Sequence, residues 1–208
     1  IVTTYKFYAG WYVPTIDSDT PDTLQLGLDK SSYKVGEVVQ LRIAPRYAGK
    51  AQISVLNNRL IETRMIDVVQ GENLINIDVS EDWGSGAYIT ASVIRPMDIA
   101  AGHNPARSLG LSWAAVDPGK RRLTARFRTP DEVEPRGSLN AALTIEGLRP
   151  GESAFATIAA IDVGVLNLTG FTFPDPDTHY FGQQKLGMAL RDVYGRLIDG
   201  IHGSPGQV

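Results

Sequence analysis

At 208 residues, with 43% hydrophobic content, the chain has room for one or two domains with packed cores. Its formal net charge of −3 and scattered basic residues, apart from short runs such as Lys120, Arg121 and Arg122, exclude a nucleic-acid footprint. No run approaches the roughly 18 apolar residues of a membrane span. The lack of cysteine excludes a disulfide scaffold, a thiolate metal site and a cysteine nucleophile.

The chain opens with Ile1, Val2, Thr3 and Thr4, without initiator Met or signal peptide, so it is expected to be a piece of something longer. Tyr5, Phe7, Ala9 and Trp11 share one face of an isolated strand followed by a polar linker. A lone strand with three aromatics needs a partner sheet, so residues 1–20 read as the last strand of a preceding domain plus its linker.

From residue 21 to 117, apolar residues recur at spacing two rather than three and four, the strand period. Leu24, Leu26 and Leu28 alternate with Gln25 and Gly27; Val39, Leu41 and Ile43 do so against Gln40 and Arg42; Ile75, Ile77 and Val79 against Asn76 and Asp78. Ala87, Ile89, Ala91 and Val93 share a face, and so do Leu109, Leu111, Trp113 and Ala115. With 51–56 and 60–69 added, about seven strands are predicted, one face buried and one wet, which is the pattern of an antiparallel β-sandwich.

After Asp117, Pro118 and Gly119 the alternation restarts with Leu123, Ala125 and Phe127. One constant offset lays Leu41 on Leu143, Ile43 on Ile145, Gly49 on Gly151 and Ile53 on Phe155, so a second sandwich of related design is expected over 118–208. Strands are predicted at 121–128, 138–145 and 153–163. At 186–194 a strand is favoured over a helix carrying Leu186, Leu190, Val193 and Leu197. The fold class is therefore all-β, with two tandem sandwiches, the second lacking its closing strands.

The order of these features resembles that of bacterial alpha-2-macroglobulins, which trap proteases. A strand ending in Ala9, Gly10 and Trp11 precedes a macroglobulin-like domain that opens in the manner of Leu28-Asp29-Lys30-Ser31-Ser32-Tyr33-Lys34-Val35-Gly36-Glu37. Further along come Leu148-Arg149-Pro150-Gly151-Glu152 and Ala160-Ile161-Asp162-Val163-Gly164-Val165-Leu166-Asn167. A Pro174-Asp175-Pro176 loop and the run Arg191-Asp192-Val193-Tyr194-Gly195 complete the likeness.

The resemblance implies a seven-stranded sandwich for each macroglobulin-like domain, with a protease-sensitive bait segment inserted in the second and the closing strands beyond Val208. It implies that Asp199, Gly200, Ile201, His202, Gly203, Ser204, Pro205, Gly206, Gln207 and Val208 open the bait. Their glycines and proline oppose regular structure, and a flexible tether is cut faster than a sheet. The implied partners are target proteases and other domains of the same polypeptide, with no nucleic acid and no direct membrane contact. The implied location is the periplasm, with the parent protein anchored to the inner membrane as a lipoprotein.

Other residues invite sharper readings that have plainer rivals. Arg191 and Arg196 offer trypsin-like cleavage points, or solvent-facing strand positions. Asp175, Asp177 and His179 alternate like ligands of a metal, but Pro174 and Pro176 make a turn the simpler reading, and no metal or cofactor is expected. Asp162, in an apolar run from Phe155 to Leu168, is expected as a buried carboxylate in need of hydrogen bonds. With no Gly-x-Ser-x-Gly elbow near it, a catalytic role is not assigned and the chain is not expected to be an enzyme.

His103, His179 and His202 lie far apart, outside any zinc or triad spacing. Trp83 is either a sugar-stacking ring or a cap on the core. Asn167, Leu168 and Thr169 form a glycosylation sequon whose apolar surroundings suggest burial. A carbohydrate-binding or adhesive sandwich pair is the alternative function, and an accessory module of an enzyme the third.

A sandwich short of two strands leaves about five core side chains uncovered, at about 2 kcal/mol each, a total comparable with the stability of a whole domain. Residues 119–208 expressed alone should therefore aggregate or fold poorly. A cooperative, monomeric thermal melt of that piece would contradict the strand count.

Overall fold

The computed structural model describes residues 22–102, 104–133 and 136–190. Among them, 22–117 and 180–190 belong to one compact unit and Pro118–His179 to another.

The first unit contains β1 (Leu26–Leu28), β2 (Ser32–Tyr33), β3 (Val38–Ile43), β4 (Gly49–Leu56), β5 (Leu60–Val68), β6 (Asn73–Asp78), β7 (Gly86–Arg95) and β8 (Ala106–Val116). They form a three-stranded sheet in the order β1-β3-β6 and a five-stranded sheet in the order β2-β8-β7-β4-β5. Val39, Leu41, Ile43, Ile75 and Ile77 on the small sheet and Ala51, Ile53, Val55, Ile89 and Val93 on the large one share a single buried core. The alternation read from the sequence is thus the inner face of a sandwich, and each long predicted strand of this unit is present.

Two features of the unit differ from the expectation. Short β2 runs parallel to β8, pairing Ser32 with Ala115 and Tyr33 with Val116, so the sandwich is antiparallel except at this edge. Two residues are too few to show a period, which hid the strand. Leu109, Leu111, Trp113 and Ala115 do share a face, but it is the outer one. The buried positions of β8 are Ser108, Gly110, Ala114 and Val116.

Glycine is required at position 110 on the inner side of β8 because residues 22–24 pair along this edge of the strand. The Leu24 amide donates to the Leu109 carbonyl at 2.9 Å, and the Leu109 amide donates to the Asp22 carbonyl at 2.8 Å. A Cβ on Gly110 would lie 2.0 Å from the Leu24 carbonyl oxygen, so only glycine admits this approach.

Tyr33 pins the opening of the domain. Its ring is buried, and its hydroxyl donates to Asp29 Oδ1 at 2.8 Å while accepting from the Lys30 amide at 3.1 Å. Asp29 Oδ1 also accepts from the Gln40 amide at 2.8 Å, tying the turn to β3. Burial, the largest influence, together with the Asp29 carboxylate pushes the Tyr33 hydroxyl up to about 12, against a smaller downward pull from the Lys30 amide.

The second unit holds an antiparallel pair, β9 (Thr124–Arg128) with β10 (Ala142–Glu146), then helix α1 (Val163–Thr169) and most of α2 (Pro176–Phe181). None of its described residues is buried. Phe127 is 48% exposed, Phe155 98% and Leu168 88%, so apolar surface that would form a core lies open. The internal repeat is visible in part: Leu143 and Ile145 sit on β10 as Leu41 and Ile43 sit on β3, and both strands pair antiparallel with a preceding one.

The correspondence stops before Gly151, which lies in a turn where Gly49 opens β4. The strand predicted at 153–163 is absent: residues 153–162 form no regular element, and α1 follows. Asp162 is the helix N-cap, accepting from the Gly164 amide at 2.7 Å, and Gly170 closes the helix with φ of 61°. A continuous apolar run does not distinguish strand from helix, whereas the cap pair Asp162 and Gly170 does. The described part of the strand favoured at 186–194 is likewise not a strand.

Two outcomes follow for the first unit. Gly110→Ala should lower stability by about 3 kcal/mol, read as a lower urea midpoint at unchanged slope. An unchanged midpoint would contradict the close approach of Leu24.

The neutral Tyr33 phenol is favoured in the fold, so its contribution is complete below pH about 10, the unfolded value, and is lost as pH rises through about 12. The stability difference between wild type and Tyr33→Phe should therefore shrink over that interval. A difference independent of pH would rule out the shift.

Candidate functional site

The outer face of the large sheet carries an apolar row where solvent-facing side chains would normally stand. Register places Leu56, Tyr88 and Trp113 side by side on β4, β7 and β8. Leu56 is 2% exposed and Tyr88 9% although both point away from the core. The Tyr88 and Trp113 rings meet edge to face, centroids 4.8 Å apart at 61°. The Trp113 ring lies over Gly86, where a Cβ would come within 2.3 Å of it.

Residues 182–188 cross this row as an irregular strap. Tyr88 Oη donates to the Gln184 carbonyl at 2.7 Å and accepts from Gln183 Nε2 at 3.1 Å. Gly187 passes the β4–β5 turn so closely that a Cβ there would lie 3.0 Å from Asn58 Cα. That turn is itself braced: Asn57 Nδ2 donates to the Asp82 carbonyl at 3.0 Å, and Arg59 pairs with the Asp82 carboxylate. A cavity of about 360 Å³ remains beside the strap, lined by Tyr88, Trp113, Asn58, Ser85 and Lys185 among others.

The residues singled out in the sequence fall elsewhere. Asp199 to Val208 lie outside the described residues, as do Arg191, Arg196, His103 and His202. Trp83 is 1% exposed, a cap on the core with no face for a sugar. Asp162 is exposed, and Asn167 stands exposed on α1, both against the burial expected from their apolar neighbours.

Asp175 caps α2, accepting from the Thr178 hydroxyl at 2.6 Å and the Thr178 amide at 3.1 Å. Those two bonds, the hydroxyl's first, hold its carboxyl below the usual range. Asp177 pairs with Arg122 at 3.2 Å. Among the described residues, no three His, Cys, Asp or Glu side chains converge as a metal site, and no helix is long and apolar enough to cross a membrane.

The strap and its aromatic row were missed from the sequence. The available signal was Leu56, Tyr88 and Trp113, bulky side chains at outward positions of three strands that turn out to be neighbours.

A β-sandwich module whose chain folds back across its own outer sheet is the class of protein these observations define. The family model described as alpha-2-macroglobulin bait region domain matches residues 24–168. The chain is similar to an alpha-2-macroglobulin of Xylella fastidiosa strain Temecula1, 33% identical over 98% of this chain and 13% of that protein. It is also similar to an alpha-2-macroglobulin of Escherichia coli strain K12, 33% identical over 96% of this chain and 12% of the relative.

Among solved structures it resembles the native conformation of E. coli alpha-2-macroglobulin, with TM-score 0.58, 25% identity, and coverage of 91% of this chain and 13% of that one. Salmonella alpha-2-macroglobulin reacted with methylamine matches with TM-score 0.56, 28% identity and coverage of 80% and 11%. The chain belongs to the alpha-2-macroglobulin family. It spans about an eighth of the length of these relatives.

Proposed function

We propose that the chain is a structural segment of a broad-spectrum protease inhibitor, one that traps a protease after the protease cuts its bait and the protein changes conformation. The observation that carries this reading is the match to the bait region domain over most of the chain. The open second unit supports it as well. Phe127, Phe155 and Leu168 together expose apolar surface that further strands of the parent polypeptide would cover.

In this reading residues 21–117 and 118–208 are successive macroglobulin-like domains, preceded by the last strand of another domain, with 180–190 crossing back into the first compact unit. The strands that close the second lie past Val208. Residues Asp199–Val208 open the bait, a tether that a protease can bind extended. No catalytic group is called for, because the attacking protease supplies the chemistry and the inhibitor supplies stored conformational change. The partners are target proteases and other domains of the parent. The location is the periplasm, with the parent held at the inner membrane by a lipid anchor.

Brief exposure of the full-length protein to several unrelated proteases should give one dominant cluster of cuts just after Asp199. Analytical ultracentrifugation should register a change in sedimentation coefficient in step with that cut. Scattered cuts throughout 21–190, or a cut without a change in sedimentation, would contradict the trap.

A further inference from the structure

We propose that Tyr88 is a positioning residue, fixing the point on the first sandwich from which the protease-sensitive segment departs. The inference rests on reading Asp199–Val208 as the opening of the bait. Residues 182–190 contain no strand or helix, so no ladder of backbone bonds holds them. Their anchorage is local. Both hydrogen-bonding functions of the Tyr88 hydroxyl are spent on the strap, one on the Gln184 carbonyl and one on the Gln183 amide group.

The Tyr88 ring is fixed in turn by Trp113 on one side and by Leu56 in register on the other, so the hydroxyl projects from a rigid sheet. Gly187, tight against Asn58, and the half-buried Leu186 and Met188 complete the contact.

An anchor at this place has a geometric consequence. Met188 and Asp199 are eleven positions apart, about 36–40 Å at full extension. With the strap seated, the bait opening is confined to a sphere of that radius around the β4–β5 end of the large sheet. Releasing the strap moves the anchor point back along the chain and uncovers the Leu56, Tyr88 and Trp113 row. Separating the strap exchanges its two bonds to the Tyr88 hydroxyl for bonds to water and exposes the apolar row, so the seated state is favoured by the modest net worth of those bonds together with the burial.

Two variants of the full-length protein test the assignment by different routes. Tyr88→Phe keeps the ring and removes the hydroxyl, whereas Gly187→Val leaves Tyr88 intact and presses the strap off Asn58. Both should raise hydroxyl-radical oxidation of the half-buried Met188 at least twofold, with labelling of the core residues of β3, β4 and β7 unchanged. Both should also speed initial cleavage within 199–208 at least twofold by a protease at limiting concentration.

Oxidation of Met188 equal to wild type in both variants would overturn the anchor. Greater oxidation with an unaltered cleavage rate would overturn the positioning role alone. Wild-type protein uncut within 199–208 would defeat the bait reading itself, and the positioning role with it.

Discussion

The row of Leu56, Tyr88 and Trp113 faces away from the core, and residues 182–188 cover it. The same requirement, that every apolar sheet face find a cover, organises the rest of the molecule. The inner face of the large sheet is closed by β1, β3 and β6. In the second unit the described residues offer β9 and β10 no such layer, and Phe127, Phe155 and Leu168 stand open. Apolar surface left this open is what a further covering layer would bury.

Close approach is the second constraint, and it explains choices that hydrophobicity does not. Gly110 admits the Leu24 carbonyl onto β8, Gly86 admits the Trp113 ring, and Gly187 admits the strap to Asn58. Each glycine stands where another part of the chain arrives from a distance in sequence. The polar pins work in the same way. Tyr33 with Asp29, and Asn57 and Arg59 with Asp82, tie turns to neighbouring elements so that the sheet edges keep their shape.

Much of the first sandwich was legible because each long strand has one wet and one dry face, and an alternation such as Val39, Leu41 and Ile43 fits the period of a strand and not that of a helix. The second unit was less so. From Phe155 to Leu168 the apolar residues run nearly unbroken, and without a contrast between faces the period that separates strand from helix disappears. Asp162 and Gly170 marked the ends of α1, but their meaning depended on first taking the run as helical. The same absence of contrast made Asp162 and Asn167 look buried, when no covering layer lies over them among the described residues.

The order of residues by itself determined which positions share a face, where the alternation restarts after Asp117, and which family pattern the chain follows. These are local properties, written in spacing two and in short motifs. Only the tertiary structure decided that Leu109, Leu111 and Trp113 point outward, that β2 lies parallel to β8, and that a segment nearly a hundred residues downstream of Tyr88 seats on its hydroxyl. Periodicity distinguishes two faces but does not say which is inner. That is settled by what arrives from elsewhere in the chain to exclude water from each.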